Sequence, residues 1–284
     1  MTAEALPAPA RAHERPPGTS LPTRVGRKLL HWALPVYSAI AILYLIFPIG
    51  IIIWFSFNNT HSRFNFVWQG FTLKHWKDPF QVPGLLDALK VSVEIAAIST
   101  IIATALGTMM ALAMVRYEFR GRGPLNFFIF LPLGTPEIVL GASLLSLFLS
   151  LGVNTGFVTI IIAHVMFNIA YVAVTVRARL AGFDRHLEEA AQDLGAGPWI
   201  TFSKVTLPLI WAGILAGGLL AFALSIDDFV ITYFNAGTTQ TFPLWVYGAV
   251  KVGIPPQVFV MGTLIFGFGV LIALLNVVAQ RRRA

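Results

Sequence analysis

The sequence predicts an all-α integral membrane protein: six transmembrane helices with a helix-turn-helix elbow on one face. Three observations carry this. Of the 284 residues, 56% are apolar and only 12% charged, and the mean hydropathy is +0.75. Such a chain has more apolar surface than a soluble core can hide, so it uses lipid as its solvent. The apolar residues gather in six runs, each long enough to cross roughly 30 Å of hydrocarbon as a helix. Finally, one long polar interruption, residues 187–208, itself carries helical periodicity.

Residues 1–23 contain five prolines and no apolar period, which leaves nothing to form a core; they are expected to be a disordered cytoplasmic tail. The rest, 24–284, is expected to form one transmembrane domain with spans at about 33–57, 91–115, 125–149, 157–176, 207–230 and 258–279. The first run is too long for a signal-peptide core and no small-residue cleavage site follows it, so it should stay in the mature protein. Six spans put both termini on one side. Most of the 20 Lys and Arg fall in the tail, in the loop with Arg116, Arg120 and Arg122, around the elbow, and at Arg281–Arg283. The other face holds Arg63, Lys74, Lys77, Lys90 and Lys251. The bias makes the tail, the elbow and the C-terminus cytoplasmic and the chain a multi-pass protein of the cell's inner membrane. The net charge of +7 is thus spent on topology, and no nucleic-acid partner is expected. Cysteine is absent, which removes disulfides and thiolate metal sites.

Between the first two spans lie Phe64, Phe66, Trp68, Phe71, Trp76 and Phe80. Rings with a wet edge favour the headgroup level, so this loop is expected along the outer interface; a carbohydrate- or base-stacking surface is the sharper alternative. The third span holds Pro132 and Pro136 with Gly134 between them. Two missing donors should kink or break that helix near its middle, either as plain structure or as the lining of a transport path. Pro35 and Pro48 should bend the first span less strongly. His164, in the fourth, lacks a second ligand at helical spacing and reads as a bundle-facing histidine with a hydrogen-bond partner.

Four carboxylates fall inside or at the edge of spans: Glu94, Glu137, Asp227 and Asp228. An acid at the bilayer centre costs about 3 kcal/mol on insertion scales, so it normally faces the bundle interior. Glu137 is the deepest, and the aspartate pair and Glu94 sit toward the outer end. Adjacent helical residues point about 100° apart, so one aspartate of the pair at most aims down a central path. The alternative for each is a solvated, capping or hydrogen-bonded carboxyl. With Tyr233, Phe234 and Trp245 nearby, the acids form a set suited to an elongated cation, amines on carboxylates and methylenes on rings.

In the elbow, Leu187, Ala190, Ala191 and Leu194 recur at i, i+3, i+4 and i+7, which predicts a short helix with one apolar stripe. Asp184 can cap its start, Gly195 suits a left-handed turn at its end, and Pro198 suits the first position of a second helix with Trp199, Phe202 and Val205 on one face. Farther on, 231–257 has a Gly- and Thr-rich start and then Pro243–Val250 as a short interfacial helix.

The elbow's Glu189-Ala190-Ala191, then Gly195, then Val205 and Leu207-Pro208, closely resembles the EAA loop of ABC-importer permeases, with Val205 where that family favours Ile. The resemblance implies that 183–206 is a cytoplasmic coupling loop and that Glu189, Ala190, Ala191, Gly195, Val205, Leu207 and Pro208 engage a separate ATPase. Further likeness lies in Arg116-Tyr117 with Phe119-Arg120-Gly121, in Pro136-Glu137-Ile138-Val139, in Ser225-Ile226-Asp227-Asp228, and in Phe242-Pro243-Leu244 through Val252-Gly253. These resemble the spermidine and putrescine branch of that family over about residues 30–280. They imply half of a translocation path, with cytoplasmic ATP-binding subunits, a second permease and an extracytoplasmic substrate-binding protein as partners, and lipid around it. Related permeases carry iron, thiosulfate or other small solutes, so these remain alternatives. An ion-coupled secondary transporter is a weaker one, since no internal repeat is found and it has no use for the elbow. No phosphate loop, HExxH or GxSxG is present, so neither catalytic residue, metal nor cofactor is expected.

Overall fold

Helices account for nearly all the regular structure in the computed structural model, which describes the backbone of residues 24–281; the expected tail, 1–23, lies outside the described residues. The chain divides into two units, 1–52 and 53–284. In the first, the helix α1 (Arg24–Phe55) begins, and its 24-residue stretch Trp32–Phe55 is apolar enough to cross a bilayer. Pro35 and Pro48 lie inside it without interrupting it.

The second unit opens with a loop pinned by Asn58. Its amide donates to Asn65 Oδ1 and to the Val67 carbonyl, both over 2.7 Å, and its Oδ1 accepts from the Gln69 N–H. Phe57 stacks on Phe71 at 5.5 Å and on Trp76, in the short helix α2 (Lys74–Lys77), at 5.2 Å. Part of the expected interfacial aromatic set is therefore spent on folding the loop, while Phe64 and Phe66 stack together on its exposed side.

The frame is made by α3 (Leu85–Arg116), α6 (Phe157–Ala181) and α9 (Leu207–Ile226). Their shared core is Ala111, Val172, Val176, Leu180, Ile210, Ile214 and Ala221. Small residues let the backbones approach: a Cβ on Gly107 would lie 2.8 Å from Val172 Cβ and 3.0 Å from the Ile169 carbonyl. In lipid there is no hydrophobic drive between helices, so this close contact supplies the association.

Between α3 and α6 come α4 (Arg122–Gly134) and α5 (Glu137–Ser150), which form one apolar run bent by 111°. After α6 the elbow consists of α7 (His186–Asp193) and α8 (Pro198–Thr201), and a π-helical turn, Phe202–Thr206, leads into α9. The expected second elbow helix and fifth span are thus one 29-residue run, Pro198–Ile226. Pro208 has no N–H for the Lys204 carbonyl, and beside that gap the ladder widens so that the Leu207 N–H reaches the Phe202 carbonyl.

Beyond α9 follow α10 (Val230–Asn235), α11 (Phe242–Val252) and α12 (Pro256–Arg281). Among the described residues, four helices are long and apolar enough to span, the bent pair makes a fifth, and α12 contributes the shorter apolar stretch Pro256–Leu271. The elbow and the 231–257 loop stand at opposite ends of α3. Arg116 at its last turn pairs with Glu188 of α7, whereas Ser92 near its start accepts from the Phe242 N–H over 2.8 Å.

Candidate functional site: an acidic cavity between two helix breaks

The first break is the work of Pro136. A proline forces the residue before it out of the helical region, and Thr135 accordingly has φ −87° and ψ 133°. The Thr135 hydroxyl donates to the Leu131 carbonyl over 2.7 Å, covering one acceptor at the end of α4. Helix α5 then starts at Glu137, with the Val139 N–H returning to the Pro136 carbonyl over 2.9 Å. The expected break in the third span is present, and it is a turn through a right angle and more rather than a mid-helix kink.

The second break separates α9 from α10 at Asp227, Asp228 and Phe229. Asp228 closes it. Its Oδ2 accepts from the Thr232 N–H and from the Thr232 hydroxyl, each over 2.7 Å, and its Oδ1 accepts from the Ile231 N–H at 3.4 Å. Behind it, His164 Nε2 lies 3.3 Å from the same Oδ2, and the Asp228 side chain is only 6% exposed. Asp227 has no such partners and stands exposed.

Leu144, Phe148, Phe167 and Ile231 pack α5, α6 and α10 together, so the two breaks face each other. The space between them is a cavity of about 510 Å3. Pro132, Thr135, Pro136 and Glu137 line one wall, Leu224, Asp227, Asp228 and Phe229 the other, and Phe167 and Tyr171 of α6 the back. Three carboxylates line it and no basic residue does. Such a site attracts cations, and its rings offer faces for the apolar parts of one.

Of the four acids singled out from the sequence, the fold therefore brings Glu137, Asp227 and Asp228 into one cavity and leaves Glu94 out, exposed on α3. The rings differ from those expected. Phe234 packs over Gly141, Trp245 over Gly84, and Tyr233 joins Phe229 and Tyr247 in a cluster, so none of the expected three lines the cavity. Phe167 and Tyr171 were missed because aromatic residues on an apolar helix carry no signal of their own. His164 does have its hydrogen-bond partners, Ser225 at 2.6 Å and Thr232 at 2.9 Å, but its tie to Asp228 was not readable from one chain position.

The elbow forms the second candidate site. Asp184 Oδ1 accepts from the His186 N–H over 3.0 Å at the start of α7. At its end, the Gly195 N–H reaches the Gln192 carbonyl over 2.8 Å and the Ala196 N–H the Ala191 carbonyl over 3.0 Å, with Gly195 at φ +85°. This is the paired terminus that needs a left-handed residue. The expected apolar stripe does not lie on the bundle. Glu188 and Ala191 face inward, whereas Leu187, Ala190 and Leu194 are exposed, Leu194 at 89%. With Trp199 at 75% exposed, they leave an apolar patch on the elbow, the mark of a surface meant to be covered. Glu189 is also exposed and bonded only to His186, at 3.0 Å, which holds the imidazole pKa above its ordinary value, with Asp184 adding to the effect. Val205 and Leu207 are half-buried, and Pro208 is exposed beside the π-helical turn.

A multi-span helical bundle with a polar cavity at broken helices and an uncovered apolar elbow at one end defines the membrane component of a transport system. The chain belongs to the family of binding-protein-dependent transport system inner membrane components, whose model matches residues 103–284. That family consists of transport-system membrane components rather than enzymes. The chain is 40% identical over 223 residues to the spermidine/putrescine transport system permease protein PotC of Escherichia coli strain K12, covering 78% of this chain and 84% of that one. It is 39% identical over 232 residues to the putrescine transport system permease protein PotI of the same strain, covering 79% and 82%. Among solved structures, a bacterial ABC transporter involved in alginate import matches with a TM-score of 0.69 at 15% identity, covering 92% of this chain and 97% of that one. That likeness is one of fold.

Proposed function

We propose that this chain is the membrane-spanning permease subunit of an ATP-driven importer for polyamines of the spermidine and putrescine kind. The observation that carries the substrate class is the cavity: three carboxylates, rings at the back and no basic residue. A protonated amine entering a low-dielectric bundle needs a negative partner, and an anion such as thiosulfate would meet a carboxylate on either wall. The names of the relatives agree with this reading.

Residues 24–284 act as one permease domain forming half of the path, and a second permease subunit supplies the other half. The loop 183–206 is the coupling element. Its exposed patch, Leu187, Leu194 and Trp199, meets a cytoplasmic ATP-binding subunit, with Glu189 at its edge. The basic bias places the tail, the elbow and the C-terminus in the cytoplasm, so the 231–257 loop faces an extracytoplasmic binding protein.

The test is uptake by the assembled transporter, with its ATPase, second permease and binding protein, in proteoliposomes. Labelled putrescine or spermidine should enter in an ATP-dependent manner, and thiosulfate and ferric iron should not. Transport of an anion with no polyamine uptake would overturn the substrate assignment and leave the family standing.

A further inference from the structure

Behind the cavity runs a chain of buried polar groups that crosses four elements. Ser99 of α3 meets Ser225 of α9 at 3.0 Å, and Ser225 Oγ meets His164 Nδ1 of α6 at 2.6 Å. His164 Nε2 then meets Thr232 Oγ1 of α10 at 2.9 Å and Asp228 Oδ2 at 3.3 Å, while the Thr232 hydroxyl donates to that same Oδ2. His164 and Thr232 are each 1% exposed, Ser225 4% and Ser99 0%.

The donors around the carboxylate can be assigned. Asp228 only accepts, so Thr232 gives it its hydroxyl proton and the imidazole must bring an N–H on Nε2. On the other side Nδ1 meets Ser225 Oγ, Ser225 meets Ser99, and the Ser99 hydroxyl also reaches the Ala96 carbonyl over 3.3 Å. None of these groups lines the cavity except Asp228 itself. The chain is anchored in the rigid α3–α6–α9 frame and ends on the turn that carries Asp227.

We propose that His164 is a positioning residue for cation transport: through Asp228 and Thr232 it fixes the α9–α10 turn, so that the neighbouring Asp227 is the carboxylate presented to the cargo. This rests on the polyamine reading of the cavity. The division of labour follows from the contacts. Asp228 is held by backbone, hydroxyl and imidazole donors and has little capacity left for a ligand, whereas Asp227, one residue away, is exposed and unclaimed. The imidazole is the polar tie from α6 to this three-residue turn, so its loss loosens the turn. A misplacement of about an ångström is enough to lower a rate by one or two orders of magnitude.

The experiment compares three substitutions in the assembled transporter, with ATP-driven putrescine uptake normalised to the amount of complex in the membrane. His164→Gln places an amide N–H where Nε2 stands and keeps the donor to Thr232 and Asp228; His164→Asn reaches only the Ser225 side. Uptake should fall about tenfold or more in His164→Ala and His164→Asn and stay within about threefold of wild type in His164→Gln. Combining His164→Ala with Asp227→Asn should lower uptake by less than about twofold beyond the weaker single variant, because both remove the same interaction. Equal rescue by Gln and Asn, a wild-type rate in His164→Ala, or multiplying losses in the double variant overturns the proposal.

A cargo-independent arm separates this from failure of the polyamine reading. In this cysteine-free chain, the reaction rate of Asp227→Cys with a cationic thiol reagent should change by more than about threefold when His164→Ala is added, since thiol reactivity follows its surroundings. A smaller change overturns the positioning role whatever the cargo is. If His164→Ala does not assemble, the Gln and Asn variants carry both arms.

Discussion

Arg116, the last residue of α3, is ion-paired with Glu188 of α7, and the same guanidinium nitrogen donates to Thr206 Oγ1 over 3.0 Å. Thr206, fully buried, closes the triangle by donating to the Glu188 carboxylate. One clamp thereby joins the end of a frame helix, the elbow and the π-helical turn that opens α9. Glu188 is 16% exposed and Arg116 26%, so the pair is screened less than an open surface pair. The position of the elbow is thereby tied to both α3 and α9.

The clamp predicts a charge-reversal result. Arg116→Glu or Glu188→Arg alone should lower polyamine uptake strongly, each leaving a partly buried charge without its partner, a loss of about 1–3 kcal/mol for such a charged hydrogen bond. The two together should recover part of the rate. Uptake assays on equal amounts of membrane-inserted protein decide this; no recovery in the double variant would argue against a coupling role for the pair.

Gly195 predicts a graded series. A Cβ at this position meets nothing within 4 Å, so Gly195→Ala carries only the cost of the left-handed backbone, about 1–2 kcal/mol. Gly195→Pro fixes φ on the wrong side of zero and removes the N–H that bonds the Gln192 carbonyl. Uptake should be reduced in the first and abolished in the second, with membrane insertion kept in both because no span is altered. Glu189→Ala should be milder than either, since Glu189 is exposed and bonded only to its neighbour His186. Wild-type uptake in Gly195→Pro at normal abundance would remove the elbow from the mechanism.

How much of this was legible in the sequence depends on the range of the physics involved. The Gly195 turn, the Pro198 start and the break before Glu137 are set by one or two residues' backbone limits, and all were readable in the chain. Which face of α7 turns inward was not, because Glu188 is held by Arg116, 72 residues away, and the polar contact outweighs the apolar stripe. The same holds for the aspartate pair. Periodicity says that Asp227 and Asp228 diverge, but only the packing of α6 against α10 shows that Asp228 turns toward His164. Cavity rings such as Tyr171 look, in one dimension, like any other aromatic residue in a span.

The elbow also carries a pH-dependent contact. Glu189 accepts a hydrogen bond from His186 and, with Asp184, raises the imidazole pKa. A raised value means that, while the carboxylate stays ionised, the charged pair is complete below the imidazole's ordinary pKa and is lost as the pH rises through the folded-state value. Removing Glu189 should lower the His186 midpoint. NMR of histidine-labelled protein in detergent, with the signal assigned by His186→Asn, measures this, and an unchanged midpoint in Glu189→Ala would show that the pair does not persist in solution.

Orientation can be read by labelling. Single cysteines at Ser62 and Thr238 should react with an impermeant reagent from outside, and those at Gly123 and Gly197 should not. Gly121 is avoided because its φ of +96° would strain any replacement. External labelling at Gly197 would reverse the assignment of the elbow to the cytoplasm.

The last prediction concerns the three cavity acids. Asp227→Asn removes the exposed charge, keeps the size and leaves every hydrogen bond of the α9–α10 turn in place, so the protein should assemble normally and transport poorly. Asp228→Asn instead weakens the acceptor shared by the Thr232 N–H, the Thr232 hydroxyl and His164, a loss of about 1–3 kcal/mol for a buried hydrogen-bonded charge. It should therefore show in reduced membrane abundance or a lower melting temperature as well as in uptake. Glu137→Gln, exposed at the start of α5 on the opposite wall, should resemble Asp227→Asn in kind, because it holds no other element in place. The two charges lie on either side of one cavity, so a diamine that bridges them should lose more when both are removed than either variant alone loses. Measuring uptake and thermal stability for the three single variants and for Asp227→Asn with Glu137→Gln separates the roles. If Asp228→Asn proves as stable as wild type while Asp227→Asn unfolds, the assignment of anchor and ligand is reversed. If all of them carry putrescine at the wild-type rate, the cavity is not on the path.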